Sequence, residues 1–225
     1  MAIPVIESYS ITDITSNTNT WDAVAPSGIT DDDILILIVS LDGTGANPTA
    51  SGFTLIVSND ANGVDHAIFY KRASSESGNY TVNWTGSEQG YLTIYRISGC
   101  ITTGSPVDQS PTGHQATGTG ITVTGLTSTV IDTLALAFVT VDSQKVDGAD
   151  TVSGTGWTEI GVSQNRGNNF GCGIISASAP MASISTVADA VFGTWGSDGL
   201  VANMINLKPP VAAGGFAYSQ GVIIG

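Results

Sequence analysis

Apolar and polar residues alternate along this chain in short stretches with a period of two, broken every ten residues or so by Gly, Asn, Asp and Pro. The pattern predicts strands over 5–14, 33–41, 53–57, 66–72, 80–84 and 91–97, and again over 119–124, 133–141, 157–162, 170–177, 188–195 and 200–207. Turn punctuation falls between them at Asp42-Gly43, Asn62-Gly63, Asp147-Gly148 and Asp198-Gly199. Residues 181–191 alone have a helical look, and they lack a capping box. Many short strands at this spacing predict an all-β chain with little or no helix, folded as an antiparallel, jelly-roll-like β-sandwich.

The strands repeat. Asp33-Ile-Leu-Ile-Leu-Ile-Val-Ser-Leu-Asp is followed by Gly52-Phe-Thr-Leu-Ile, then by a strand ending Lys71-Arg-Ala-Ser, then by Trp84-Thr-Gly-Ser-Glu-Gln-Gly and Tyr91-Leu-Thr-Ile-Tyr. Asp132-Thr-Leu-Ala-Leu-Ala-Phe-Val-Thr-Val-Asp, Gly156-Trp-Thr-Glu-Ile, a strand ending Ile175-Ser-Ala-Ser, Trp195-Gly-Ser-Asp-Gly and Leu200-Val-Ala-Asn-Met come in the same order about a hundred residues later. The sandwich is therefore expected to be one domain over 1–209, with duplicated halves at about 30–100 and 130–209 related by a pseudo-two-fold axis. Aligning Asp33 with Asp132 places Leu35, Leu37, Val39, Leu134, Leu136 and Phe138 on the inner faces. The intervening Ile34, Ile36, Ile38, Ala135 and Ala137 are apolar too, so both strands should be covered on both faces.

Charge narrows the partners. Nineteen acidic against six basic residues leave a net charge of −13, which argues against nucleic acid and against anionic membrane surfaces. No apolar run reaches the roughly 18 residues needed for a membrane helix. The amino terminus has no basic n-region, so synthesis in the cytoplasm without a signal peptide is expected. Cys100 and Cys172 are expected to be reduced.

Chemistry is scarce. His66 and His114 lie far apart and are read as surface or edge residues, and no zinc spacing, nucleophile elbow or phosphate loop occurs. No catalytic residue, metal site or cofactor is expected, and paired carboxylates for glycoside hydrolysis cannot be told from chance among 19 acids. Two acidic clusters, Asp31-Asp32-Asp33 before the first long strand and Asp142, Asp147 and Asp150 around the loop after the matching strand, are of a kind that can hold Ca²⁺, but neither follows an EF-hand or Gly-Gly-x-Gly-x-Asp pattern; the simpler reading of the Asp run is a solvated strand start. Trp84, Trp157 and Trp195 sit inside the duplicated pattern and are read as packing residues, which leaves Trp21 to test a glycan platform.

The run Pro26-Ser-Gly-Ile-Thr-Asp-Asp-Asp-Ile-Leu-Ile, the element Gly-Phe-Thr-Leu-Ile and the strand Phe69-Tyr-Lys-Arg-Ala resemble motifs of the small β-sandwich virion structural proteins of tailed bacteriophages, over roughly Trp21 to Leu207. The resemblance implies a non-enzymatic capsid decoration (cement) protein, assembled in the host cytoplasm onto the virion. Its partners would be the major capsid protein and neighbouring copies of itself, with a trimer favoured. Residues 210–225 form an apolar arm in which Phe216, Tyr218, Val222, Ile223 and Ile224 are the expected partner-binding residues, and Val5, Ile6 and Tyr9 of the first strand come second. The alternative is a glycan- or receptor-binding module of a tail fibre or adhesin.

Overall fold

The computed structural model describes residues 2–109, 113–142, 151–160 and 171–211. Among them, the first half supplies β1 (Val5–Ala23), β2 (Ile34–Asp42), β3 (Thr49–Ala50), β4 (Thr54–Ala61), β5 (Val64–Arg72) and β6 (Tyr80–Ser98). These form one sheet in the order β1-β6-β2-β5-β4, with β3 also on β6. The second half supplies β7 (His114–Val123), β8 (Thr133–Val141), β9 (Thr151–Ser153), β10 (Thr158–Glu159), β11 (Gly173–Met181) and β12 (Ala190–Leu207). They pair as β7-β12-β8-β11-β10, with β9 on β12. Strand for strand this is the same topology, all antiparallel, so the duplication read from the sequence is a duplication of sheets.

The two sheets stack about their central strands. Ser40 on β2 touches Thr140 on β8, Tyr95 on β6 reaches Ser176 on β11, and Asn59 on β4 meets Asn203 on β12. The pseudo-two-fold axis thus runs along β2 and β8, laying β1 over the side of the second sheet that carries β10. The shared core joins Ile34, Ile36, Ile38, Ile68, Tyr91 and Tyr95 to Leu134, Leu136, Phe138, Ile174, Val201 and Ile205.

That list corrects one expectation. Leu35, Leu37 and Val39 face outward, into a separate core, and Ile34, Ile36 and Ile38 face the second sheet. Backbone geometry explains the error. Asp32 and Asp132 are the equivalent pair, both with positive φ (70° and 60°) in the turn before the strand. Aligning Asp33 with Asp132 slips the register by one residue, and a one-residue slip turns every side chain to the opposite face. Both strands are covered on both faces, as expected: β8 is buried throughout and β2 up to Leu41.

The outer faces are covered from within each half. In the first, β1 and β6, both 19 residues long, bring Ile14, Ala23, Tyr80, Val82 and Trp84 over Leu35, Leu37, Val39 and Phe69. In the second, β12 and its neighbours bring Phe192, Ile121, Val123 and Trp157 over Ala135, Ala137, Ala177 and Ala179. Each half therefore closes a core of its own besides the shared one.

Several predicted breaks are bends inside long strands. The Trp84–Gly90 segment, expected as a connection, lies within β6, and Asp198-Gly199, expected as a turn, lies within β12. Register shifts between Ile14 and Thr18 on β1, and between Gly193 and Asp198 on β12, let the ladders bend without ending. At Gly90 (φ 154°) an added Cβ would meet the Ser40 carbonyl oxygen at 2.0 Å, so glycine permits the close crossing. Asn62-Gly63 is a true hairpin turn with positive φ at both residues. Met181 ends β11, and no helix follows it before β12.

Candidate functional site

Among the described residues, β1 is the edge strand of the first sheet and pairs with β6. Ile6 lies opposite Ile97, Tyr9 opposite Tyr95 and Ile11 opposite Thr93, which places all three on the face turned to the second sheet. On that side the second sheet carries β10, which Ile160 follows. An open hollow of about 330 Å³ lies there among the described residues, lined by Ile6, Glu7, Ser8, Tyr9 and Ile160. Val5 and Tyr9 are 52% and 43% exposed, and the Tyr9 ring packs at 5.8 Å from Tyr95. The expected residues Val5, Ile6 and Tyr9 are thus brought together at one edge. Ile11 and Ile160 were not singled out from the sequence. Ile11 continues the alternation of β1, whereas Ile160 carries no signal short of the folded sheet.

The carboxyl-terminal residues Phe216, Tyr218, Val222, Ile223 and Ile224 lie outside the described residues. The chain can be followed to Val211, which is 71% exposed. Lys208 is held by two backbone bonds, its N–H to Pro106 O at 2.8 Å and its carbonyl from Ile101 N–H at 3.1 Å. Ile101 lies three residues beyond Ser98, the partner of Val5. The chain therefore leaves the sandwich at the end where β1 begins.

The most concentrated chemistry lies between the sheets. Thr140 Oγ1 is 2.7 Å from Ser40 Oγ and 2.7 Å from His66 Nδ1, and the Cys172 thiol points to Ser40 O at 3.3 Å. A hydroxyl beside an imidazole is the geometry of an activated nucleophile. Here Ser40, His66 and Thr140 have no exposed surface at all, so no substrate reaches them. Burial drives the His66 pKa down to about 3, which leaves a neutral ring. His66 is thus no surface residue, as its alternating strand had implied, but part of a polar seam joining the halves. His114 opens β7 and is half-buried.

Acidic groups gather at the same end. Asp65 is buried with its Oδ2 accepting from Asn47 N–H at 3.1 Å, and desolvation, with Asp60 and Glu88 nearby, pushes its pKa up to about 6. Burial also raises Asp42 and Glu88. Among the described residues, no group of three or more such ligands is placed to hold a metal ion. At the other end the Asp31–Asp33 run is engaged locally. Asp33 is buried, takes the Thr30 N–H and pairs with Arg96 Nε at 2.6 Å, and Asp31 accepts from Ser75 N–H. Asp33 is a buried fastening at the strand start, while Asp31 and Asp32 are exposed, as the solvated reading expects.

Trp84 and Trp157 are buried, with indole N–H groups donating to Thr18 O and Ala188 O, and Trp21 packs partly against the first outer core. Trp84 and Trp157 are thus committed to packing, Trp21 is half-buried, and the side chain of Trp195 lies outside the described residues. Cys100 and Cys172 are buried free thiols. Burial pushes the Cys100 pKa up to about 12, so it stays protonated and unreactive.

Compared with known proteins, the chain matches no family model, and neither a curated protein nor a solved structure matches it.

Proposed function

We propose that the chain is a non-enzymatic structural protein of a tailed-phage virion, a capsid decoration protein that bridges neighbouring capsid subunits and clusters with its own copies, as trimers. The observation that carries the reading is the pairing of a doubled, three-core sandwich with one long edge strand that presents Val5 and Tyr9 to solvent beside a half-buried Ile6. Two sheets packed this way make a stiff unit, and an apolar edge with a nearby arm provides the means to join units. The resemblance adds support, because its motifs fall on structural elements: the Asp-Ile-Leu run starts β2, Gly52-Phe53 forms the turn before β4, and Tyr-Lys-Arg-Ala ends β5. Binding would bury apolar surface across subunit junctions, and the net charge of −13 would keep the outward face soluble at high local density.

The test is copy number in purified particles of the encoding phage, by quantitative mass spectrometry against the major capsid protein. A ratio near one, or near one third, supports a head decoration protein. A handful of copies moves the protein to the tail or fibre, where a receptor-binding role is then tested by glycan screening. Absence from particles overturns the virion reading.

A further inference from the structure

We propose that residues 43–48 and Asp65 form a proton-operated latch, in which the loop seats on the first half while the Asp65 carboxyl holds its proton and lifts when that proton leaves. Such a latch is independent of the virion reading and can be tested without particles.

Asp65 lies opposite Leu41 on β2 and Asp60 on β4, and shares the outward face of β5 with Ala67 and Phe69. It is 1% exposed, and the loop between β2 and β3 caps it. Gly45 N–H donates to Asp60 Oδ2 at 2.6 Å, Asn47 N–H to Asp65 Oδ2 at 3.1 Å, and Thr85 N–H to Ala46 O at 2.6 Å. Positive φ at Gly45 (78°) and Asn47 (47°) turns those loop N–H groups inward. Ala46 is fully buried against the first outer core, so the seated loop also closes that core.

The other carboxyl oxygen, Asp65 Oδ1, is buried and meets no hydrogen-bond donor among the described residues. An ionised carboxylate held this way lacks the donors that water would give it. Its charged neighbours are acidic: Asp60 on β4 and Glu88 on β6. The Glu88 carboxylate lies against the loop, since a Cβ added at Gly43 would meet Glu88 Oε2 at 2.5 Å. Asp42, at the end of β2, acts on Glu88, and Asp142 of the second half lies against Gly63 at the turn before β5. His66 points to the opposite face and is neutral, while Lys71 lies further along β5, paired with Glu76 at 2.7 Å.

Burial is the main penalty on the charged form. The N–H groups of Asn47 and Ala46 oppose it, Asp60 and Glu88 add to it, and the folded pKa stands at about 6. Lifting the loop lets water reach Asp65 and returns it to the ordinary 3.8. The proton therefore favours the seated loop, and this bias fades as pH rises through 6. At the equivalent register the second half has Gly173, so the latch belongs to the first half alone.

The experiment measures amide hydrogen exchange on isotope-labelled full-length chain. Between about pH 5 and about pH 7.5, the opening that exposes the Gly45 and Asn47 amides should become roughly tenfold more populated. These amides should be less protected than those of β8 and insensitive to low urea, the mark of a local opening. Asp65→Asn keeps an acceptor for Asn47 N–H and cannot ionise, so its loop should stay equally protected at both pH values. In the parent chain the chemical shift of the Asp65 carboxyl carbon should titrate with the midpoint of the exchange profile, a result that does not depend on how the variant folds. Loop protection that ignores pH overturns the latch. So do loop amides that share the protection and urea response of β8, and a pH profile that survives Asp65→Asn.

Discussion

The two halves share a topology and differ in what fills it. Behind β2 the outer core is built from Leu35, Leu37, Val39, Leu41 and Phe69 under Tyr80 and Trp84. Behind β8 it is built from Ala135, Ala137, Val139, Ala177, Ala179 and Ala202 under Phe192, Met181 and Trp157. What persists between halves is elsewhere: the positive-φ aspartate before the central strand, the positive-φ glycine (Gly52, Gly156) before Phe53 and Trp157, the order of strand pairing, and the contact of Ser40 with Thr140. Turn chemistry and the shared face therefore carry the architecture, and outer-core volume is adjustable once each half has its own cover. A second difference lies on the shared face itself. Where the first half has His66 opposite Ser40, the matching register of the second has Ile174 opposite Thr140.

The largest effect should come from the face both halves use. Phe138→Ala removes a fully buried ring from the shared core and is expected to cost about 4 kcal/mol. Chemical denaturation followed by tryptophan fluorescence should show Trp84 and Trp157 responding in one transition. Two separate transitions would mean that the halves fold independently and that the comparison is between two domains.

Exchanging outer-core residues sharpens the volume argument. Leu37→Ala should cost about 3 kcal/mol by opening a cavity, and Ala137→Leu about 2 kcal/mol by overpacking, both read as shifts in the denaturation midpoint. If Ala137→Leu proves neutral, the second outer core has unfilled room and the two halves are less different than their side chains imply.

Thr140→Val tests the polar link at nearly constant shape. It leaves Ser40 Oγ and His66 Nδ1 without their 2.7 Å partner, and should cost about 2 kcal/mol. A change under a few tenths would show that the seam contributes nothing as a network.

The smallest effect is the one that depends on pH. Asp65 has a folded pKa of about 6 against an unfolded 3.8, so folding favours its protonated form. The associated stability is fully present below pH 3.8 and is lost as pH rises through 6. Asp65→Asn should therefore stabilise the protein at pH 7 and leave it nearly unchanged near pH 3.5. His66 works in the other sense: its neutral form is favoured, so its stability is present above pH 6.5 and is lost as pH falls toward 3. Equal effects of Asp65→Asn at both pH values would remove the titration account.

How far the sequence alone reaches can be judged from particular elements. The all-β class, the duplication and the burial of β2 and β8 on both faces were legible, because alternation and turn residues are local signals. Which face of β2 meets the second sheet was not legible, since Ile34–Leu41 is apolar at every position but Ser40 and offers no contrast to fix the register. Only the φ of Asp32 settles it. The fusion of 80–84 with 91–97 into β6 was hidden because Gly86 and Gly90 look like a turn, and the bulges that carry the ladder through them depend on the partner strand. His66 looked peripheral because its cover comes from Thr140, 74 residues away. Val5, Ile6 and Tyr9 were legible as part of a strand, while the hollow beside them depends on where the fold brings Ile160.

The contact between Ser40 and Thr140 has an evolutionary reading. These two residues are equivalents that meet at the axis relating the halves. In a homodimer of single halves, that position would touch its own copy, and each substitution there would arrive twice in the same place. Joining the halves in one chain lifts that constraint, and divergence can then begin at the axis: serine faces threonine, and a histidine is held on one side where the other keeps isoleucine.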